Sequence, residues 1–357
     1  MPAAPTASVK RTPNAVARRL SRAVQWTLTL GVGALSTVGA QGAPPPLDPS
    51  PHSDIVLVSN VASVQPGQTV TVALRLTLDR GWHTYWINPG DAGLPLVAKW
   101  TLPIGVSAGA LQFPTPHLTP QPPLMSYGYE NEVLVLSNVQ VPSTATIGST
   151  LHIAGTADWL ACADVCLPAT GPLSLDLPVV ATSSAAPTKY SDAISATRAQ
   201  LPVTATGWQL RGWTTADGYT LTAVPPSGST AILPMPYFFI DTANVLEHAQ
   251  AQRVARSGDT LIFALPRAKI APVKATILRG VIAGDVASAS QRGWNIDVSL
   301  SATAPLALRK RAEALLADSG ARAIGGAGEA APVAEPDVAV PDPGADMSLV
   351  EIGRAHV

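Results

Sequence analysis

Thr69-Val70-Thr71-Val72-Ala73-Leu74-Arg75-Leu76-Thr77-Leu78 decides the fold class. Val70, Val72, Leu74, Leu76 and Leu78 recur at period two, with Thr71, Arg75 and Thr77 between them. Successive strand residues point to opposite faces, so this pattern predicts a half-buried β-strand. Working outward, Val133–Val139 is a more continuous apolar strand, and Leu151 and Ile153 begin another. Leu173, Leu175, Leu177 and Val179 alternate again. Turn signals such as Gln65-Pro66-Gly67 and Asn88-Pro89-Gly90-Asp91 lie between these segments.

The same pattern returns downstream. Trp208 and Leu210, Tyr219 and Leu221, and Leu261 and Phe263 mark further strands. Trp294, Ile296, Val298 and Leu300 alternate with Asn295, Asp297 and Ser299. Asn244–Val254 reads as the one helical stretch among them, with Asp241, Glu247 and His248 on a solvated face. A short helix is also predicted near Tyr190–Gln200. The expected fold is all-β: two immunoglobulin-like antiparallel β-sandwich domains in tandem, followed by a short helix and a disordered linker. The 34 prolines and 28 glycines in 357 residues suit short strands and many turns.

The expected boundaries follow composition. Residues 1–40 read as a signal peptide, with Lys10, Arg11, Arg18, Arg19 and Arg22 before an apolar stretch from Ala23 to Val38 and the small residues Val38-Gly39-Ala40. Residues 41–53 are a Pro-rich leader, and 54–182 the first sandwich. Residues 183–206 are an Ala/Ser/Thr/Pro-rich linker, 207–302 the second sandwich and 303–320 the short helix. Residues 321–350 have Ala/Gly/Pro linker composition. Residues 351–357, Glu-Ile-Gly-Arg-Ala-His-Val, equal a reading-frame translation of a common sequencing adapter. They are expected to be a non-native tail, with the natural protein continuing beyond Val350.

The net charge is −1. Cleavage after residue 40 would remove five basic residues and no acidic ones, leaving 18 against 24, or −6. That balance argues against nucleic acid as a partner. No uninterrupted apolar run reaches the ~18 residues needed to span a bilayer.

Export makes the two cysteines the centre of interest, because thiols in reach of each other pair in an oxidising compartment. They lie in Asp158-Trp159-Leu160-Ala161-Cys162-Ala163-Asp164-Val165-Cys166-Leu167-Pro168, three residues apart. A bond there would close a very small ring and add roughly 2 kcal/mol at best, and strain in so tight a ring would make it easier to reduce. Three readings stand: a redox pair, a structural staple, or a metal site. The last would need His83, His117 or His152 as additional ligands, for instance to Cu(I). Asp158 and Asp164 are candidates for moving protons during exchange, or are turn residues.

Three segments also carry a resemblance: Gly81-Trp82-His83-Thr84-Tyr85-Trp86-Ile87-Asn88-Pro89-Gly90-Asp91-Ala92-Gly93-Leu94-Pro95, Ser126-Tyr127-Gly128-Tyr129-Glu130-Asn131-Glu132, and Trp159–Pro168. Together they resemble the periplasmic N-terminal region of the thiol:disulfide interchange protein DsbD family, nearest its ScsB-like branch, over about residues 54–182 and more loosely over 207–302. The resemblance implies a protein-disulfide reductase module in the periplasm, with the full-length protein anchored in the inner membrane. Its cysteine pair would take electrons from a membrane domain by way of a thioredoxin-like domain. It would pass them to periplasmic disulfide proteins. The membrane electron-transfer domain would lie outside this chain. Cys166 would form the mixed disulfides and Cys162 would resolve them, with no cofactor beyond this redox-active pair and no metal. A cap loop would shield the pair at Met125, Ser126, Tyr127, Gly128 and Tyr129. Ser126 stands where better-known members carry Phe.

Overall fold

A computed structural model describes residues 52–182, 187–229, 233–270, 272–284, 292–301 and 304–328. The segments read as signal peptide and non-native tail lie outside the described residues, as do most of the leader and residues 329–350.

The first sandwich is built from ten strands: β1 (Ser53–Ser59), β2 (Thr69–Leu78), β3 (His83–Gly90), β4 (Val97–Thr101), β5 (Ser107–Ala108), β6 (His117–Gln121), β7 (Leu124–Glu130), β8 (Glu132–Gln140), β9 (Thr150–Cys162) and β10 (Cys166–Pro178). One sheet runs β1–β2–β8–β5. The other runs β10–β9–β3–β7–β6, with β4 also on β9. The period-two residues of β2, Val70, Val72, Leu74 and Leu76, are sealed in a core shared with Val135 and Val139 of β8 and with Ile153, Leu173 and Leu177. Each such side chain is stabilised by roughly 1.5–3 kcal/mol on leaving water.

β2 departs from the half-buried expectation. Its outer residues Thr71 and Ala73 are buried as well, because helix α1 (Ser191–Gln200) covers that face and Ile194 packs with Val58, Ala73, Leu134 and Leu136. Thr71 keeps its hydroxyl satisfied by donating to Asn138 Oδ1.

The second sandwich comprises β11 (Val203–Thr204), β12 (Gln209–Thr214), β13 (Gly218–Val224), β14 (Tyr237–Ile240), β15 (Gln252–Ser257), β16 (Thr260–Pro266), β17 (Ile277–Ala283) and β18 (Gly293–Ser301). Helix α2 (Leu306–Ala317) and β19 (Arg322–Ile324) follow. Its strands form one continuous path, β14–β17–β18–β12–β13–β16–β15–β19, with β11 on β18. Most pairs are antiparallel, but β12 meets β18 in parallel over only two residue pairs. Leu278, Val281, Ile296 and Val298 share a core with Leu221, Leu261 and Phe263.

Two readings of this region are corrected. Asn244–Val254 is not a helix. Asn244 adopts φ 60°, a left-handed conformation incompatible with helix propagation, Leu246 bridges to Arg267, and the chain enters β15 at Gln252. His248 is therefore not on a solvated helix face; it is 3 % exposed. Arg322–Ile324, inside the segment of linker composition, pairs with β15 as an added strand.

The two sandwiches pack directly. All four residues of β14 are buried, and Ile240 O accepts a hydrogen bond from Asn88 Nδ2 at 2.8 Å. Trp86 meets Phe239 edge to face, and Tyr127 meets Tyr237 likewise.

Candidate functional site

β9 and β10 are thirteen residues each and pair without a break from Thr150↔Pro178 to Cys162↔Cys166. The cysteines are thus the last facing pair of the longest hairpin, joined by Ala163-Asp164-Val165. This facing position brings the two Cα atoms to 4.1 Å. The two sulfurs are bonded. They differ sharply in access: Cys162 is fully buried, whereas Cys166 is exposed at the hairpin tip.

The neighbours of the pair come from the segment Gly81–Pro95. His83 of β3 is the register partner of Cys162. Tyr85, two residues on and therefore on the same strand face, places its hydroxyl 3.5 Å from Cys166 Sγ and 3.3 Å from His83 Nε2. Gly93, at φ 108°, lies flat on the Tyr85 ring; a Cβ there would come within 2.3 Å of it. This is why the segment needs glycine at that position. Burial raises the Tyr85 pKa to about 12, so it remains a hydroxyl donor at neutral pH. Burial lowers the pKa of His83, with Glu130 opposing, and keeps the imidazole neutral. With the proton on Nε2, His83 donates to Tyr85 Oη, and Tyr85 is free to donate to the sulfur. That tautomer is assigned from the network.

Met125, Ser126, Tyr127, Gly128 and Tyr129 all lie within strand β7 and all are buried. Tyr127 points into the second sandwich, and Tyr129 donates to Pro114 O at 2.7 Å. Ser126 faces the Ala92 carbonyl at 3.5 Å. The part that reaches the cysteine hairpin is the preceding turn: Gln121 Nε2 donates to Ala163 O at 2.9 Å, and Leu124 is exposed beside it.

Asp158 sits on β9 four residues before Cys162. Lys99 Nζ and Thr170 Oγ1 donate to it at 2.7 and 2.8 Å and hold its carboxyl below the usual carboxylate range. A carboxylate fixed this way is a poor proton donor. Asp164 is exposed in the turn. His152 pairs with Asp176 near the opposite end of the β9–β10 hairpin, and His117 pairs in register with Gly128. Among the described residues no group of three His, Cys, Asp or Glu side chains converges to hold a metal. Sequence reading did not single out Tyr85. The available signal was the His83–Tyr85 spacing of two on a strand inside a segment dense in Gly and Pro.

A family model described as thiol:disulfide interchange protein DsbD, N-terminal, matches residues 53–178. The N-terminal periplasmic domain of ScsB from Proteus mirabilis is similar in structure, with a TM-score of 0.52 and 18 % identity over 70 % of this chain and 95 % of that one. The major pilin subunit of Bacillus cereus overlaps at a TM-score of 0.23, 10 % identical over 70 % of this chain and 66 % of that one. No curated protein matches the chain. Among the described residues no helix is long and apolar enough to cross a membrane. Residues 53–178 thus match the DsbD N-terminal family model, and the chain is similar in fold to the ScsB periplasmic domain.

Proposed function

We propose that the chain is a periplasmic thiol–disulfide exchange module working through Cys162 and Cys166. The observation that carries this reading is the asymmetry of the pair: Cys166 is an exposed residue at a hairpin tip, and its bonded neighbour Cys162 is buried. In the reduced form, the Cys166 thiolate attacks one sulfur of a partner disulfide. A Cys166–partner mixed disulfide forms, and the partner's other sulfur leaves as a thiolate. Cys162, once deprotonated, attacks Cys166 Sγ, re-forms the internal bond and releases the partner with both thiols. Two electrons and two protons pass to the partner. The reverse sequence, driven by a thioredoxin-like dithiol, resets the pair.

The surroundings support this chemistry. A hydroxyl donating to the Cys166 sulfur stabilises the thiolate over the thiol. Tyr85 stands in that place and does not itself ionise near neutral pH. Exposed Val165 and Leu124 offer an apolar rim for a partner's own cysteine loop. The electron supply from a membrane domain, and periplasmic disulfide proteins as recipients, belong to the same proposal.

Equilibration of the chain with graded thiol–disulfide buffers, read by mass shift after alkylation, tests it. The expected reduction potential lies above about −300 mV; a value well below that marks an inert staple.

A further inference from the structure

The second sandwich carries no cysteine, yet its buried His248 and Tyr237 are turned toward the first. His248 precedes β15, and its Nδ1 lies 2.8 Å from Tyr127 Oη. The same hydroxyl lies 3.0 Å from Tyr237 Oη. The Tyr127 ring meets His248, Tyr237 and Phe239 edge to face, with centroids 4.8, 6.0 and 4.9 Å away. Gln252 steadies the wall behind them, accepting from Phe238 N–H and donating to Phe238 O. β7 is also held by Asp91, whose carboxylate accepts from the His248 backbone N–H as well. The Met125 N–H donates to the Asp91 carboxylate at 2.9 Å, and the Asp91 N–H donates to Met125 O at 3.0 Å.

β7 is therefore gripped along its length, and its leading end is the turn whose Gln121 bonds to Ala163 in the cysteine hairpin. Buried hydroxyls and imidazoles destabilise unless paired, so a plain spacer would be served as well by apolar contact. His248 Nε2 has no partner among the described residues, a cost accepted for the Nδ1 contact. What a polar chain adds is register. A slip of one residue would put Ser126 in the slot between His248 and Tyr237 and turn Tyr127 to the opposite face.

We propose that His248 and Tyr127 are positioning residues: the Tyr237–Tyr127–His248 chain lets the second sandwich fix β7, so that the Gln121–Leu124 turn stays closed over the cysteine hairpin and Cys166 is approached from one side only. The importance of this for electron transfer rests on the exchange reading above; the grip itself does not.

The test uses the whole chain. Reduction of the oxidised pair by dithiothreitol is timed, and amide exchange is followed at residues 121–128. Tyr127→Phe, which keeps the ring and removes the hydroxyl, is expected to raise both rates at least about tenfold, the opening expected from losing its contacts with both His248 and Tyr237. His248→Leu should act in the same direction, and His248→Gln, which keeps a hydrogen-bonding group near the Tyr127 hydroxyl, should recover most of the difference. Leu261→Ala, a cavity in the second core, controls for stability and should leave the dithiothreitol rate unchanged. Unchanged rates in Tyr127→Phe, or an equal rise in Leu261→Ala, would overturn the proposal. Dithiothreitol needs no protein partner. Faster reduction in Tyr127→Phe, in a chain that exchanges with no thioredoxin-like protein, would leave the grip standing and refute only the exchange reading.

Discussion

The two sandwiches are made of the same material and put it to different use. Both bury alternating aliphatic side chains between strands. In the first, the longest hairpin ends with a disulfide at its tip, and a Tyr–His pair lies against the sulfur. In the second, the comparable concentration of aromatic and titratable groups, Tyr237, Phe239 and His248, is shut inside the contact with the first. The fold alone therefore says little about chemistry. What separates the two regions is where a strand end leaves a polar or sulfur group facing solvent.

The largest expected effect tests whether the second core is energetically its own. Phe263 is fully buried there, and Phe263→Ala should cost about 3–5 kcal/mol in urea unfolding while leaving the dithiothreitol rate at Cys162–Cys166 unchanged. A faster reduction would mean that coupling runs through general stability and not through the polar chain.

Next is acid sensitivity. Burial pushes His248 down to about 4. Between that value and the ordinary 6.5, the unfolded chain binds a proton that the folded chain refuses. Stability from this group is thus complete above about pH 6.5 and falls as pH drops toward 4, by about 3 kcal/mol in all. His83 and His117, also lowered by burial, act in the same direction. Urea titrations across this range should show a clearly flatter slope for His248→Gln; an unchanged slope would move the acid weakness out of the second sandwich.

Third, alkylation of the reduced protein by iodoacetamide should favour Cys166 over Cys162 by on the order of a hundredfold, because thiol reactivity follows exposure and thiolate character. Comparable rates would erase the asymmetry that distinguishes the tip. The smallest effect is expected for Tyr85→Phe: the alkylation pKa of Cys166 should rise by about one unit, or tenfold in thiolate fraction near neutral pH. No shift would reduce Tyr85 to packing.

Much of the fold could be read from short-range pattern. Thr69–Leu78 alternates because one face meets the core, and β2 lies on those residues. The short helix expected near Tyr190–Gln200 is α1, Ser191–Gln200. What escaped depends on distant chain. Thr71 and Ala73 look like a solvent face until α1, over a hundred residues on, is laid across them. Val245, Leu246 and Ala249 have helical spacing, but the bridge from Leu246 to Arg267 and the left-handed Asn244 override it. The cysteine spacing could be seen at once. The Tyr85–Cys166 contact spans 81 residues and is set by sheet order, which no local periodicity encodes. His248 shows the same limit, because the Tyr127 that satisfies it belongs to the other sandwich, 121 residues away.

The central claim is tested most directly by mixed-disulfide capture. The reduced Cys162→Ala and Cys166→Ala chains would each be mixed with an oxidised thioredoxin-like protein and the adducts mapped by peptide mass spectrometry. The account predicts a lasting adduct through Cys166 in Cys162→Ala, and none in Cys166→Ala. Adducts of equal yield through either cysteine, or none through Cys166, would contradict it.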